Sequence, residues 1–243
     1  MAENSTKHDR GDVLVFGLLT VVALWFVYSY ALFYLTIEPS GFGIYWPRHE
    51  WLYAHIVAGI VALVLGPTQF WLGLTGRKPS LHRVLGLTYV TAVAIGGIAA
   101  FYLAFHTDFG WVFGVGFSGM AAAWIISTGL GIAAILRRLV EQHREWMIRS
   151  YVVTFGFVTF RVLDAAFDTA QFGTLVERMT AASWLAWTVP LMITEAILQG
   201  KKIFARRVSV RVVPLPTVNV DTAVPEPMEF GLRSSESSYL PPR

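Results

Sequence analysis

Two histidine-arginine pairs, His82-Arg83 and His143-Arg144, bring together side chains able to ligate a metal, carry a proton and bind an anion. Gln69, Arg77, Arg149 and Glu195 fall near the same ends of the apolar segments that carry these pairs, so one polar constellation is expected there. Two imidazoles from different helices are the donor set for noncovalent haem b. His82 and His143 would then be the iron ligands, and neighbouring arginines would neutralise the propionates. The same arginines also suit a carboxylate or a lipid phosphate. Headgroup contact by snorkelling side chains is the plain structural alternative.

A second candidate group is His55, Arg161 and Asp164. An ionisable residue within an apolar span is costly unless it has a partner or a task, and Asp164 and Asp168 follow Arg161 on one helical face. His49 and Glu50 superficially resemble the start of a zinc-protease helix, but Tyr53 occupies the position that must be the second histidine. No serine or carboxylate has a recognisable catalytic spacing, so no reaction is assigned. The chain has no cysteine, which excludes disulfides, thiolate chemistry, iron-sulfur clusters and covalent haem attachment.

The elements that must position these groups are long and apolar. Of the 243 residues 55% are hydrophobic and 14% charged, and the mean hydropathy is +0.54. Soluble domains carry about a quarter charged residues. A span needs ~20 apolar residues to cross hydrocarbon. Six segments qualify, at 13–37, 51–74, 81–105, 111–136, 146–170 and 181–198. An all-α polytopic bundle follows, in which residues 1–12 form a short N-terminal segment and 13–200 the membrane domain. Beyond lies a tail, 201–243, basic at first and then rich in proline, serine and glutamate. The first span is too long for the apolar core of a signal peptide and ends on bulky Phe33, Tyr34 and Leu35, so it reads as an uncleaved anchor.

Fourteen lysines and arginines fall on the side of the termini and of the second and fourth loops. The opposite loops hold Arg48 and Arg178. The positive-inside rule therefore predicts both termini in the cytoplasm and a place in the cytoplasmic membrane. The basic residues, with a net charge of +3, are read as topology signals for lipid headgroups rather than as a nucleic-acid surface. The partners expected are the bilayer, a small anionic ligand or quinone, and further copies of the chain. Trp25, Trp51, Trp111 and Trp146 lie near span ends, as interfacial anchors do. Pro67 and Pro190 fall inside spans, where a kink is expected, and Gly110 with Gly114 makes a small-xxx-small pair.

Arg77 precedes His82-Arg83 by the interval at which Arg138 precedes His143-Arg144, so spans two and three are candidates for a parallel repeat of spans four and five. A wider pattern links His55, Gly66-Pro67-x-Gln69-Phe70, Arg77-x-x-x-x-His82-Arg83-x-x-Gly86, His143-Arg144-x-Trp146-Met147-x-Arg149-Ser150-Tyr151 and Arg161. In these blocks residues 50–165 resemble the bacterial multi-pass family catalogued as domain of unknown function 2306. The resemblance implies a polytopic membrane protein and carries no settled activity. From the residues themselves, the leading expectation is a binding or transport module with its anion site at the cytoplasmic side. A haem b electron carrier and an accessory subunit of a membrane complex are the alternatives.

Overall fold

The computed structural model describes residues 10–76 and 78–207, and among these there is no strand. Helix α1, Arg10–Phe26, continues through a π-helical turn, Val27–Ala31, and a 3-10 turn, Leu32–Leu35. A short α2, Pro39–Phe42, and a 3-10 segment, Gly43–Arg48, lead into α3, His49–Thr75. Then come α4, Pro79–Phe105, α5, Trp111–Leu136, α6, Val140–Thr154, α7, Gly156–Thr169, and α8, Leu175–Arg207. The six units Leu14–Leu35, Pro39–Thr75, Pro79–Phe105, Trp111–Leu136, Val140–Thr169 and Leu175–Phe204 are long and apolar enough to cross a membrane. At ~1.5 Å per residue even the shortest exceeds ~30 Å, the thickness of the hydrocarbon.

Consecutive helices pack as neighbours: α3 on α4, α4 on α5, α5 on α6 and α7 on α8, while α8 also closes against α5 and α6. Helix α1 lies at the edge, packed chiefly on α3 through Ala23, Val27 and Ala31, which face Leu63 and Val158. Helices α3, α4 and α5 are apolar all round, so burial of grease does not choose the faces on which they meet. Small residues and hydroxyls do. Ala58 and Ala62 of α3 and Ala92 and Gly96 of α4 form a close seam, and a side chain at Gly96 would stand 3.1 Å from the Ala58 Cβ.

A closed hydrogen-bonded circuit holds α4, α5 and α6 in register. Trp124 Nε1–H donates to Thr154 Oγ1 (2.8 Å), Thr154 pairs with the Tyr89 hydroxyl (2.9 Å), Tyr89 with Ser150 (2.8 Å) and Ser150 with Thr128 (2.7 Å). Thr128 donates back to the Trp124 carbonyl (2.8 Å), so each member has a partner away from water.

Three details depart from the sequence expectation. The fifth span begins at Val140 and is two helices, broken at Phe155 without a proline. The sixth runs from Leu175 to Arg207, past both expected ends, and into the segment assigned to the tail. Gly110 is not half of a packing pair. It precedes α5 at φ +92°, and Gly114 alone makes the close approach, against the Ala104 carbonyl.

Candidate functional site

At the end of the bundle that holds the 76–78 and 137–139 loops, hereafter the basic end, the predicted residues divide into paired and unpaired groups. Arg149 on α6 reaches across to α8, with Nε 2.9 Å and Nη2 2.5 Å from Glu195 Oε2. It also stands 3.8 Å from Glu145 and 4.7 Å from the centre of the Trp146 ring, and Glu145 in turn holds Lys202 at 2.7 Å. A guanidinium matched in this way locks two helices together. His143 donates Nδ1–H to the Gly131 carbonyl at 2.8 Å, tying the start of α6 to the end of α5.

His82 and Gln69 are different: His82 Nδ1 and Gln69 Nε2 are buried and have no hydrogen-bond partner. They lie between α3 and α4, with His82 against Gly73 and Gln69 against Gly86. Arg83 and Arg144 are exposed, and Arg77 lies outside the described residues. The structure thus unites Arg149 with Glu195, and places Gln69 and His82 along one helix seam.

At the opposite end the two loop arginines are each matched: Arg48 with Asp108 at 3.0 Å and Arg178 with Asp168 at 2.8 Å. Asp168 is therefore no partner of Arg161. Arg161 meets Asp164 through a single nitrogen at 4.0 Å, the outer limit of an ion pair, and lies 5.9 Å from the ring centres of Tyr30 and Phe160. His55 is buried and bonds through Nδ1 to the Gly96 carbonyl at 2.9 Å. Because a carbonyl can only accept, Nδ1 carries the proton, and in the neutral ring Nε2 is left as an acceptor.

His55 and Arg161 line one cavity of about 310 Å³ in the half of the bundle away from the basic end. Asp164 is not part of its wall. His55 is six residues into α3 and Arg161 eight residues from the end of α7, about 9 and 12 Å from the helix ends. The walls are aromatic: Phe26, Tyr30 and Tyr34 below α1, and Phe117, Trp124 and Phe157 opposite. Thr154 and Trp124, members of the hydroxyl circuit, reach the same space, and Gly59 faces it with nothing within 4 Å of where a side chain would begin.

A narrower crevice of about 190 Å³ lies between α1 and α7, lined by Trp25, Phe26, Tyr30, Val158, Arg161, Val162 and Ala165. Arg161 is thus common to both spaces. The sequence does not single out Trp124, Thr154 or Tyr30 as lining residues. Polar atoms in mid-span are the one local signal, and they do not say which neighbour is faced. Neither space is lined by His82 or His143.

The family model described as predicted membrane protein (DUF2306) matches residues 52–198, more than half of the chain. The chain belongs to the DUF2306 family. No curated protein and no solved structure matches it.

In three dimensions the sequence blocks that resemble the DUF2306 family meet one another. Tyr151, from the Trp146-Met147-x-Arg149-Ser150-Tyr151 run, donates its hydroxyl to the Leu63 carbonyl at 2.9 Å and packs edge-on against Phe70 at 5.5 Å. Its ring covers Gly66, where any Cβ would overlap it. Gln69 meets Gly86, and Met147 meets Gly131. Much of the shared pattern is therefore the joint between the α3-α4 and α5-α6 hairpins.

Proposed function

We propose that this membrane protein is a binding module for a molecule of the lipid phase, and that its site is the aromatic cavity between α1, α3, α5 and α7. The observation that carries the reading is the cavity itself, a bilayer-depth space walled by rings, into which an imidazole, His55, and a guanidinium, Arg161, are set. Small-molecule sites have this composition, a mostly apolar lining with few polar groups that orient the ligand. The proposed site thus moves from the basic end, where Arg149 is already neutralised by Glu195 and Glu145, to the opposite half.

Gly59 provides the test. Leucine at this position fills the cavity without meeting another atom at its Cβ and suits a helix better than glycine. Gly59→Leu is expected to fold and to lose most of its affinity for a bromine-labelled alkanol that quenches tryptophan fluorescence in reconstituted discs. Equal quenching in both proteins would remove the cavity as the site.

A second reading is favoured by the two orphaned buried atoms at the basic end. His82 Nδ1 and Gln69 Nε2 are supplied with a partner if a small anion or lipid headgroup, held also by Arg83, enters the α3-α4 seam. Thermal stabilisation by added phosphate or anionic lipid should then fall in an Arg83→Gln variant, and an unchanged response rejects this second site. We also propose that the basic end faces the cytoplasm. Arg83, Arg137, Arg138 and Arg144 are exposed there and outside the ion pairs of the described residues, whereas the arginines of the opposite loops are matched by aspartates.

A further inference from the structure

Among the described residues Arg161 makes no hydrogen bond. A guanidinium carries five N–H donors and does not lose its charge, so at bilayer depth each unmet donor is costly. Among the described residues none of the five is hydrogen-bonded, and the single carboxylate nearby, Asp164, lies 4.0 Å from one nitrogen. The rings of Tyr30 and Phe160, 5.9 Å away, attract a cation through their faces but accept no conventional hydrogen bond there, and Tyr45 shares the cavity wall.

This under-matched cation is also placed where a ligand could reach it from two directions. It lines the main cavity, and it lines the crevice between α1 and α7, whose other members Trp25, Val162 and Ala165 are exposed on the lipid-facing side. Helix α1 packs chiefly on α3.

From this placement we infer that the ligand is an oxyanion carried on an apolar chain, an acyl carboxylate or a lipid phosphate, with Arg161 binding its head at the α1-α7 seam and its chain lying among the aromatic walls. The inference rests on the cavity being a binding site and adds the charge of what it binds. A carboxylate or phosphate offers two or more acceptor oxygens to a planar fork of donors, which no neutral alcohol does. The apolar remainder of the ligand is required by the lining, where ring and aliphatic surface predominates.

The test compares bromine-labelled dodecanoate with the matching dodecanol, using the full chain in phosphatidylcholine discs at mildly alkaline pH. Tryptophan quenching is read, and concentrations are referred to the bilayer phase. The native protein is expected to prefer the carboxylate by about ten-fold or more, the value of one charge-assisted hydrogen-bonded contact. Arg161→Gln should erase that preference, and Arg161→Lys should restore part of it.

A preference that survives in Arg161→Gln, or its absence from the native protein, overturns the oxyanion inference. Failure of either probe to bind in a manner sensitive to Gly59→Leu overturns instead the reading of the cavity as a site, so the two failures are distinct. Phosphatidate added to the discs separates the sources. Displacement of dodecanoate identifies a bilayer phosphate as an occupant, and lack of displacement identifies a free acyl carboxylate; both results retain Arg161 as the oxyanion site.

Discussion

Tyr89, Ser150, Thr128, Thr154 and Trp124 show what a hydroxyl is for in a helix bundle surrounded by lipid. A serine or threonine hydroxyl can bond back to its own helix, and Thr128 and Thr154 do so, at 2.8 and 3.0 Å from the carbonyls four residues earlier. Their further bonds cross between helices. Interhelical bonds of this kind are worth about 0.6 kcal/mol on average and up to about 1.7 in lipid. Tyr89→Phe, which removes two of them, should destabilise the protein by about 1–2 kcal/mol, measured by thermal unfolding in detergent. Adding Ser150→Ala should cost less than the sum of the single effects, because both substitutions open the same circuit.

Gly66 makes a related point by steric means. A methyl group there overlaps the Tyr151 ring, so Gly66→Ala should lower the melting temperature, and Tyr151→Val should reduce that penalty when the two are combined. Additive losses would show that the glycine is required for something other than room.

On the scale of elements, the break between α6 and α7 has no sequence marker of the usual kind. Phe155 keeps helical φ and takes ψ near zero, its N–H reaching the carbonyls of Tyr151 and Val153, and Gly156 starts the next helix hard against Met120. A Cβ at Gly156 would lie 2.7 Å from the Met120 sulfur, whereas Gly129 on α5 faces open space. Gly156→Ala is expected to destabilise even though alanine favours helix. Gly129→Ala should be neutral or stabilising by up to about 1 kcal/mol. Comparison of the two melting temperatures checks whether packing outweighs propensity at the break.

The hairpins on either side of this joint repeat a local design. His82 and His143 are each the fourth residue of their helix, each packs back towards a glycine of the preceding helix, and Lys78 and Arg138 before them both have positive φ, +53° and +61°. These shared loop features support reading spans two and three as a counterpart of spans four and five.

For the whole molecule, charge is distributed unevenly between the two ends. At the opposite end Arg48 bonds to both Asp108 and the His106 carbonyl, and Arg178 pairs with Asp168, so little positive charge is left uncompensated there. At the basic end exposed arginines exceed their partners. The absence of cysteine makes the proposed orientation simple to test, because a single introduced thiol is the only one present. Asp108→Cys should react with a membrane-impermeant maleimide added to intact bacteria, and Arg138→Cys should react after the membrane is opened. The reverse pattern would invert the topology.

The six spans and the crowding of basic residues at alternate loops could be read from the chain alone, because both depend on local sums. Transfer of a ~20-residue window into hydrocarbon and the attraction of nearby charges to one face require no knowledge of neighbouring helices. Membership of the DUF2306 family was legible for the same reason, in short blocks such as His82-Arg83 and Trp146-Met147. What each polar group meets was decided by the tertiary structure. Arg149 finds Glu195, Asp168 turns to Arg178, and Arg161 is left between a cavity and a crevice. Those outcomes depend on how each helix is rotated about its axis. In a soluble protein the apolar stripe records that rotation, but in lipid α3, α4 and α5 are apolar on every side and keep little record of it, while the polar face of α7 shows which residues turn together and not what they meet.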